Sequence, residues 1–243
     1  MLSRRLPVAF ADRSDAGREL AASLAHFAGQ DVVVLGLPRG GVVVAAEVAE
    51  ALGAPLDVIV VRKLGFPSQP ELAMGAIGEG GAKVINREGA WLAREEPEAA
   101  AMVERNEREE LARRARCFRG DRPPVPIRGR AVIIVDDGIA TGATMRVACE
   151  VARAQGAVRV VAAAPVAPVS VVADLATVAD QVVCLHTPGH FYAIGQWYDD
   201  FSPTPDSDVL ALLQRALRNT SGAPKGATGG AAQAADLGTA LLE

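Results

Sequence analysis

Five short apolar runs, rich in β-branched residues, recur along the chain at positions 31–36, 57–62, 131–135, 158–164 and 181–185. Each is far shorter than the ~18 residues of a membrane span. Each has a continuous apolar stretch rather than an alternating one, with charged or polar residues only near the ends, as expected of strands buried on both faces. Helix-length segments separate most of them. Residues 12–28 place Ala16, Leu20, Leu24 and Phe27 at helical spacing, with Arg13, Asp15, Arg18 and Glu19 on other faces. Residues 40–52 follow a glycine-rich turn, and 143–155 and 168–179 separate the last three runs. Strand, tight turn, helix and strand within about thirty residues is the βαβ unit of a parallel sheet. The expected fold class is therefore α/β, an open parallel sheet flanked by helices.

The alternation breaks between the second and third runs. Residues 65–70 carry Gly, two Pro and Ser and read as a loop, and 73–77 and 83–86 flank Gly78-Glu-Gly-Gly81 as a hairpin. Residues 97–118 read as one long charged helix. Seven Arg and seven Glu lie from Arg94 through Arg119, with Glu104/Arg108, Glu109/Arg113 and Glu110/Arg114 at i,i+4. Those charges cancel, which favours a solvated helix face over a nucleic-acid stripe. After the fifth run, 186–205 is aromatic-rich and irregular, and 207–218 is a last amphipathic helix. Residues 219–243 hold twelve Gly or Ala among 25 and read as a flexible tail. The expected organisation is one domain over 1–218, with variable segments at 66–120 and 186–205, and a tail from 219.

Composition narrows the partners. With 25 Lys and Arg against 29 Asp and Glu, the net charge of −4 argues against nucleic acid. A chain of 243 residues that is 50% hydrophobic can bury a core without metals or disulfides. Cys117, Cys149 and Cys184 are odd in number and far apart; they read as reduced thiols, two of them in the core, of a cytoplasmic protein. His26, His186 and His190 form no zinc pattern. Residues 6–11, after Arg4-Arg5, contain Pro7 and are too short for a secretory apolar region, so no membrane partner is expected.

The most informative stretch is Val132-Ile-Ile-Val-Asp136-Asp137-Gly-Ile-Ala-Thr141-Gly142-Ala-Thr144. It sets two adjacent carboxylates at the carboxyl end of a buried strand, where ligands bind in open α/β sheets. A small-residue turn then opens a helix, pointing backbone N–H groups and a positive helix end at one place, a ready phosphate site. Thr141 and Thr144 add hydroxyls, and Gly142 lets the backbone approach closely. The carboxylates would repel a phosphate but suit a diol or magnesium. The ligand implied is a phosphate with sugar hydroxyls a few ångströms away: a 5-phosphoribosyl group.

Residues 135–144 resemble the signature of the type I phosphoribosyltransferases: a hydrophobic strand, two acidic residues, then a T-G-[AG]-T phosphate loop. The resemblance implies that Ile139, Ala140, Thr141, Gly142, Ala143 and Thr144 hold the 5-phosphate, and that Asp136 and Asp137 hold the ribose 2- and 3-hydroxyls. It further implies that the donor is phosphoribosyl pyrophosphate, bound with Mg2+. Gly138 departs from the family, which more often has an aliphatic residue there, and is expected to loosen the turn.

Gly36-Leu-Pro-Arg39-Gly40-Gly41 is similar to the family's first pyrophosphate loop, with Arg39 as anion clamp; the same residues also read as an ordinary glycine-rich turn. Arg62 and Lys63, at the end of the second run, match the basic pair that leads into the family's mobile loop, here 65–71. Lys63 and Glu71 are candidates to complete the site on closure, and a solvated loop charge is the other reading of Glu71. Residues 190–201 look like the hood of the purine-type enzymes, where an aromatic stacks on the base and an acid helps bind magnesium. Tyr192 and Asp199 fit that spacing best, with Phe191 and Asp200 one residue away; a turn whose aromatics pack on the core is the alternative. Ala140 stands where enzymes acting on 6-oxopurines carry an acidic residue.

The whole pattern resembles a stand-alone bacterial group of phosphoribosyltransferases. It implies transfer of a 5-phosphoribosyl group from phosphoribosyl pyrophosphate to a nucleobase-like acceptor, and a possible homodimer. A catalytically silent regulator that binds the donor or a nucleotide is the rival expectation.

Overall fold

The computed structural model describes residues 9–70 and 72–222. Its elements run α1 (Arg13–Ser23), β1 (Val32–Gly36), α2 (Gly40–Leu52), β2 (Leu56–Val58), β3 (Val61–Gly65), β4 (Ala73–Gly78), β5 (Lys83–Ile85), α3 (Arg87–Glu95) and α4 (Pro97–Arg119). They continue with β6 (Ala131–Val135), α5 (Ala143–Ala154), β7 (Arg159–Val166), α6 (Val169–Leu175), β8 (Gln181–His186) and α7 (Asp206–Gly222). Among these, no helix is long and apolar enough to cross a membrane.

Five strands form a parallel sheet in the order β2-β1-β6-β7-β8. The runs of β1, β6 and β7 are continuous because both faces are covered, whereas the edge strand β8, expected to be buried, is only partly so along its whole length. Val32, Val34, Ile133 and Val135 enter one core with α2 and α7, while Val33, Leu35, Val132 and Ile134 enter a second core with α5 and α6. The two-residue period of a strand divides one run between two cores. From β1 the chain steps outward to β2 and then returns to β6 on the other side, so order reverses between β1 and β6. Crevices of open α/β sheets lie at such reversals.

The expected strand over 57–62 is two strands. Leu56–Val58 pairs with β1, the Ile59 N–H donates to the Gly36 carbonyl at 3.1 Å, and the chain then leaves the sheet. Val61–Gly65 instead pairs antiparallel with β4, and β4 with β5, giving a separate three-stranded sheet. Ile59 and Val60 are buried, so the crossing is as apolar as a strand interior and no periodicity marks it. Arg62 and Lys63 thus lie on the second sheet rather than at the carboxyl end of a main-sheet strand. The hairpin 73–86 forms as expected.

Helix α3 was not expected. Its interior Gly89 weakens the pattern, yet a Cβ there would fall 2.0 Å from the Met74 carbonyl, so close packing on β4 requires the glycine. Other helix boundaries differ: α1 ends at Ser23, followed by a 3-10 turn over Ala25–Phe27, α6 ends at Leu175 and α7 extends to Gly222. Residues 223–243, most of the expected tail, lie outside the described residues. On α4, Arg113 pairs with Glu110 rather than Glu109, while Glu104/Arg108 and Glu110/Arg114 pair as expected. Cys149 is buried and its thiol is pushed up to about 12 by burial; Cys184 is only partly buried, and Cys117 is half-exposed.

The second sheet and α4 are tied to the main sheet through one buried ion pair. Arg119, at the end of α4, donates from Nε to Asp57 Oδ1 (2.7 Å), from Nη2 to the Val58 carbonyl (2.6 Å) and from Nη1 to the Glu79 carboxylate. Asp57 also accepts the Val58 and Val125 N–H groups, each at 2.8 Å. Removing one member of such a satisfied pair strands the other charge, at about 3–5 kcal/mol. An exposed pair contributes about 1 kcal/mol or less. Arg119→Ala is therefore expected to cost about 3–5 kcal/mol in urea unfolding. Arg215→Ala, which breaks the exposed pair with Glu50, is expected to cost about 1 kcal/mol or less. Equal losses would contradict this account of the joint.

Candidate functional site

Strands β1 and β6 run in register from Val32/Ala131 to Gly36/Val135, and the Leu37 N–H then donates to the Val135 carbonyl at 2.9 Å. Their two following loops therefore leave the sheet side by side. The approach is close enough to demand glycine. A Cβ on Gly41 would lie 2.7 Å from the Val135 carbonyl oxygen and 2.8 Å from Asp136 Cα. One on Gly40 would lie 1.9 Å from Asp137 Oδ2. The glycine turn and the acidic pair thus form one surface.

Asp136 and Asp137 share it unequally. The Asp137 backbone N–H donates to Asp136 Oδ1 at 2.9 Å. Burial, and then the neighbouring Asp137 charge, push the Asp136 carboxyl well above its ordinary value. Asp137 Oδ2 receives Arg13 Nε at 2.7 Å, both side chains being largely buried. Arg13 is placed by a cap: Asp12 begins α1, accepting the Asp15 N–H at 2.8 Å, which makes Arg13 the first helical residue. Its guanidinium also donates to the Ser202 carbonyl at 2.8 Å and lies 3.9 Å over the Phe201 ring.

The phosphate-loop residues follow directly. The Ile139 N–H donates to the Val166 carbonyl at 2.9 Å and its side chain is buried, whereas Ala140, Thr141, Ala143 and Thr144 are exposed. Gly142 caps α5 in the left-handed region (φ 77°) and supplies no side-chain hydrogen bond to the first turn. The first turn carries no acid, and Thr141 Oγ1 meets the Ala143 N–H only at 3.5 Å. The remaining first-turn N–H groups face outward with the helix's positive end, which suits an anion. Gly138 does not loosen the turn: a Cβ there would lie 2.4 Å from Ile194 Cγ2, so a side chain from the hood fills the space.

Arg39 stands on the neighbouring loop, half-exposed, with Asp206 at 3.8 Å, and the Pro38–Arg39 peptide is cis. Arg39 and Thr144 line one cavity of about 330 Å³. Arg62 and Lys63 line a different one, beside α4, where Arg62 pairs with Glu107 at 2.6 Å. Two of the three expected loops therefore meet, and the basic pair stands apart from them. Glu71 lies outside the described residues.

In the hood, Tyr192 is 83% exposed and Phe191 partly so, and neither makes a ring contact among the described residues. Tyr198 is the buried aromatic. It packs 5.4 Å from Phe10 and 5.0 Å from Phe201, and its hydroxyl donates to the Asp137 carbonyl at 2.5 Å. Burial raises its phenol pKa, with the Asp137 charge adding to the shift. Asp199 is exposed, its backbone N–H donating to the Phe10 carbonyl at 2.9 Å. Asp200 accepts the Ser202 N–H and hydroxyl, which hold its carboxyl low. Sequence reasoning missed Arg13 and Tyr198. Neither carries a local signal, since their partner is 124 and 61 positions away.

Comparison with known proteins identifies the family. The phosphoribosyl transferase domain family matches residues 12–174. Two Mycobacterium tuberculosis proteins, named "Putative phosphoribosyl transferase MT0597" (strain CDC 1551) and "Putative phosphoribosyl transferase Rv0571c" (strain H37Rv), are 57% identical over 215 residues. These alignments cover 86% of this chain and 47% of each relative, so the chain spans about half the length of the curated relatives it matches. The crystal structure of TT1426 from Thermus thermophilus is 45% identical, with a TM-score of 0.77, over 85% of this chain and 98% of that one. With its parallel sheet reversing at an acidic pair and phosphate loop, this chain belongs to the type I phosphoribosyltransferase family.

Proposed function

We propose that the protein transfers a 5-phosphoribosyl group from phosphoribosyl pyrophosphate to a ring nitrogen of a nucleobase-like acceptor, releasing pyrophosphate. One observation carries this reading: the Asp136–Asp137 pair and the uncapped first turn of α5 lie together at the sheet's reversal, against a glycine turn that ends in a cation. A phosphate suits the loop 139–144, the ribose diol suits the two carboxylates, and Arg39 faces the pyrophosphate end. Lys63 and Arg62, on β3, are assigned to the pyrophosphate side by family resemblance alone.

The donor set also fits Mg2+. This ion favours one or two carboxylates completed by substrate phosphates and water. Adjacent Asp136 and Asp137 beside a phosphate cradle are such a set, and Asp199 is a third carboxylate, on the exposed hood. Among the described residues, no group of three or more His, Cys, Asp or Glu could hold a metal without the donor. Bound magnesium would neutralise charge on the departing pyrophosphate.

The chain's own contribution is position and field. Bond breaking at C1 develops oxocarbenium character on the ribose. Asp137, held on one oxygen by Arg13 and on its backbone by Tyr198, keeps its carboxylate against the diol and its charge close to the ring. Asp136 accepts the neighbouring backbone N–H and is fixed by it. No side-chain nucleophile is required. Phe191 and Tyr192 are assigned to the acceptor's face, since their exposure leaves them available for stacking. The regulatory alternative draws on the Arg13–Asp137 pair, which already occupies part of one ribose-binding carboxylate.

Calorimetry with phosphoribosyl pyrophosphate in excess magnesium, followed by a pyrophosphate-release assay over a panel of bases, tests the reading. Binding with release identifies an enzyme; binding without release for any base favours the regulator; no binding by folded protein removes both. Asp137→Asn is expected to weaken donor binding at least about tenfold, or 1.4 kcal/mol, in a protein that still folds but is less stable because Arg13 loses its charged partner. Gly40→Ala is expected to do the same by displacing Asp137 and Arg13, whereas Gly53→Ala, at the far end of α2, leaves donor affinity unchanged and costs about 1 kcal/mol of stability. Wild-type affinity in Gly40→Ala would contradict the assigned contact surface.

A further inference from the structure

Helix α4 belongs to the part of the chain that breaks the strand–helix alternation, and its charges read from sequence as a solvated face. Three-dimensional placement gives one end of it a different setting. Arg113 and Arg114 line the same cavity of about 330 Å³ as Arg39 of the glycine turn and Thr144 of the phosphate loop. Three guanidinium groups from two distant segments therefore border one concavity, next to the first turn of α5. Asp206 is the one carboxylate among its described lining residues, and Arg39 stands 3.8 Å from it.

The arginines of α4 are held ready. Glu110 takes Arg113 in a two-point pair, Nε at 2.7 Å and Nη2 at 2.9 Å, and accepts Arg114 Nε at 2.8 Å. Those two arginines hold the Glu110 carboxyl down to about 2, so it stays ionised at ordinary pH. One carboxylate serves two guanidinium groups, which leaves a net positive charge. The Nη groups of Arg114, and all the donors of Arg39, make no hydrogen bond among the described residues. Pre-positioned planar guanidinium groups match phosphate oxygens in geometry as well as charge. The basic pair Arg62–Lys63 lines another cavity, and Arg62 is engaged by Glu107, so within this one the additional cations come from α4.

Resting on the phosphoribosyl reading above, we propose that Arg113 and Arg114 of α4 are binding residues for the pyrophosphate group, acting with Arg39 from across the cavity. The inserted helix then forms a wall of the active site, and the anion seated there is the pyrophosphate end of the donor before transfer and free pyrophosphate after it.

The test compares wild type with Arg113→Gln/Arg114→Gln and, as control, Arg105→Gln, an exposed α4 residue outside this cavity. Phosphoribosyl pyrophosphate, inorganic pyrophosphate and ribose 5-phosphate are titrated separately by calorimetry with magnesium, after matching unfolding profiles confirm folding. Alkylation of Cys117, which lines the cavity, gives a second readout, because Cys149 and Cys184 are slowed by burial that pushes their thiols up to about 12 and about 11. In wild type, pyrophosphate is expected to bind and to slow Cys117 alkylation. In the double variant, both pyrophosphate-bearing ligands are expected to bind at least tenfold more weakly, ribose 5-phosphate as in wild type, and the control to match wild type throughout. Equal affinity of variant and wild type for pyrophosphate, or wild-type binding of ribose 5-phosphate without pyrophosphate, overturns the proposal and leaves the phosphoribosyl reading intact. Pyrophosphate binding that is lost in the variant, with no binding of either ribose ligand by wild type, sustains the anion site and removes the phosphoribosyl reading. No binding of any of the three by folded wild type removes both.

Discussion

Strands β1 and β6 lie in register to their last residues, and the loops that follow them touch. Everything assigned to the site depends on that approach. Gly40 and Gly41 are glycines because Asp136, Asp137 and the Val135 carbonyl occupy the volume a side chain would need. A residue with a Cβ would push the glycine turn away from the acidic pair and open the shared surface. Close packing, rather than any one hydrogen bond, makes two distant segments into one surface.

Around this contact the structure adds supports from outside the sheet. Arg13, oriented by the Asp12 cap, and Tyr198, buried against Phe10, hold Asp137 by its side chain and its carbonyl respectively. Ile194 fills the space over Gly138, and Arg119 binds the end of α4 to β2 and to the hairpin turn. The acidic loop is thereby clamped by the hood, and α4 is anchored at one end while its preceding turns border the cavity of Arg39. A charged helix that could have been an appendage thus borders the same cavity as the glycine turn and Thr144.

Much of this was legible in the residues. Continuous β-branched runs imply strands covered on both faces, because only burial on both sides tolerates apolar side chains at every position. The acidic pair and glycine-rich turn pointed to the family, because two adjacent carboxylates and a small-residue turn at a strand's carboxyl end form a short pattern that needs no long-range information. Reading failed where a different tertiary demand produced a similar local pattern. Ile59 and Val60 are buried in a crossing between sheets, which looks like a strand; Gly89 lies within a helix because Met74 leaves no room, which looks like a loop. In the hood, Tyr192 and Tyr198 are both aromatics beside a glycine, and spacing could not tell that the second would be the buried one.

The sequence by itself determined the fold class, most of the main-sheet strands, and the acidic pair with the small-residue turn that follows it, because these follow from local periodicity and from residue types set side by side. Tertiary structure alone decided the partners: Arg13 on Asp137, Arg119 on Asp57, Ile194 over Gly138, and Arg113 and Arg114 beside Arg39. Each joins residues more than fifty positions apart. Such pairings depend on how the sheet order reverses and where the inserted helix is anchored, and neither is encoded in the spacing of neighbours along the chain.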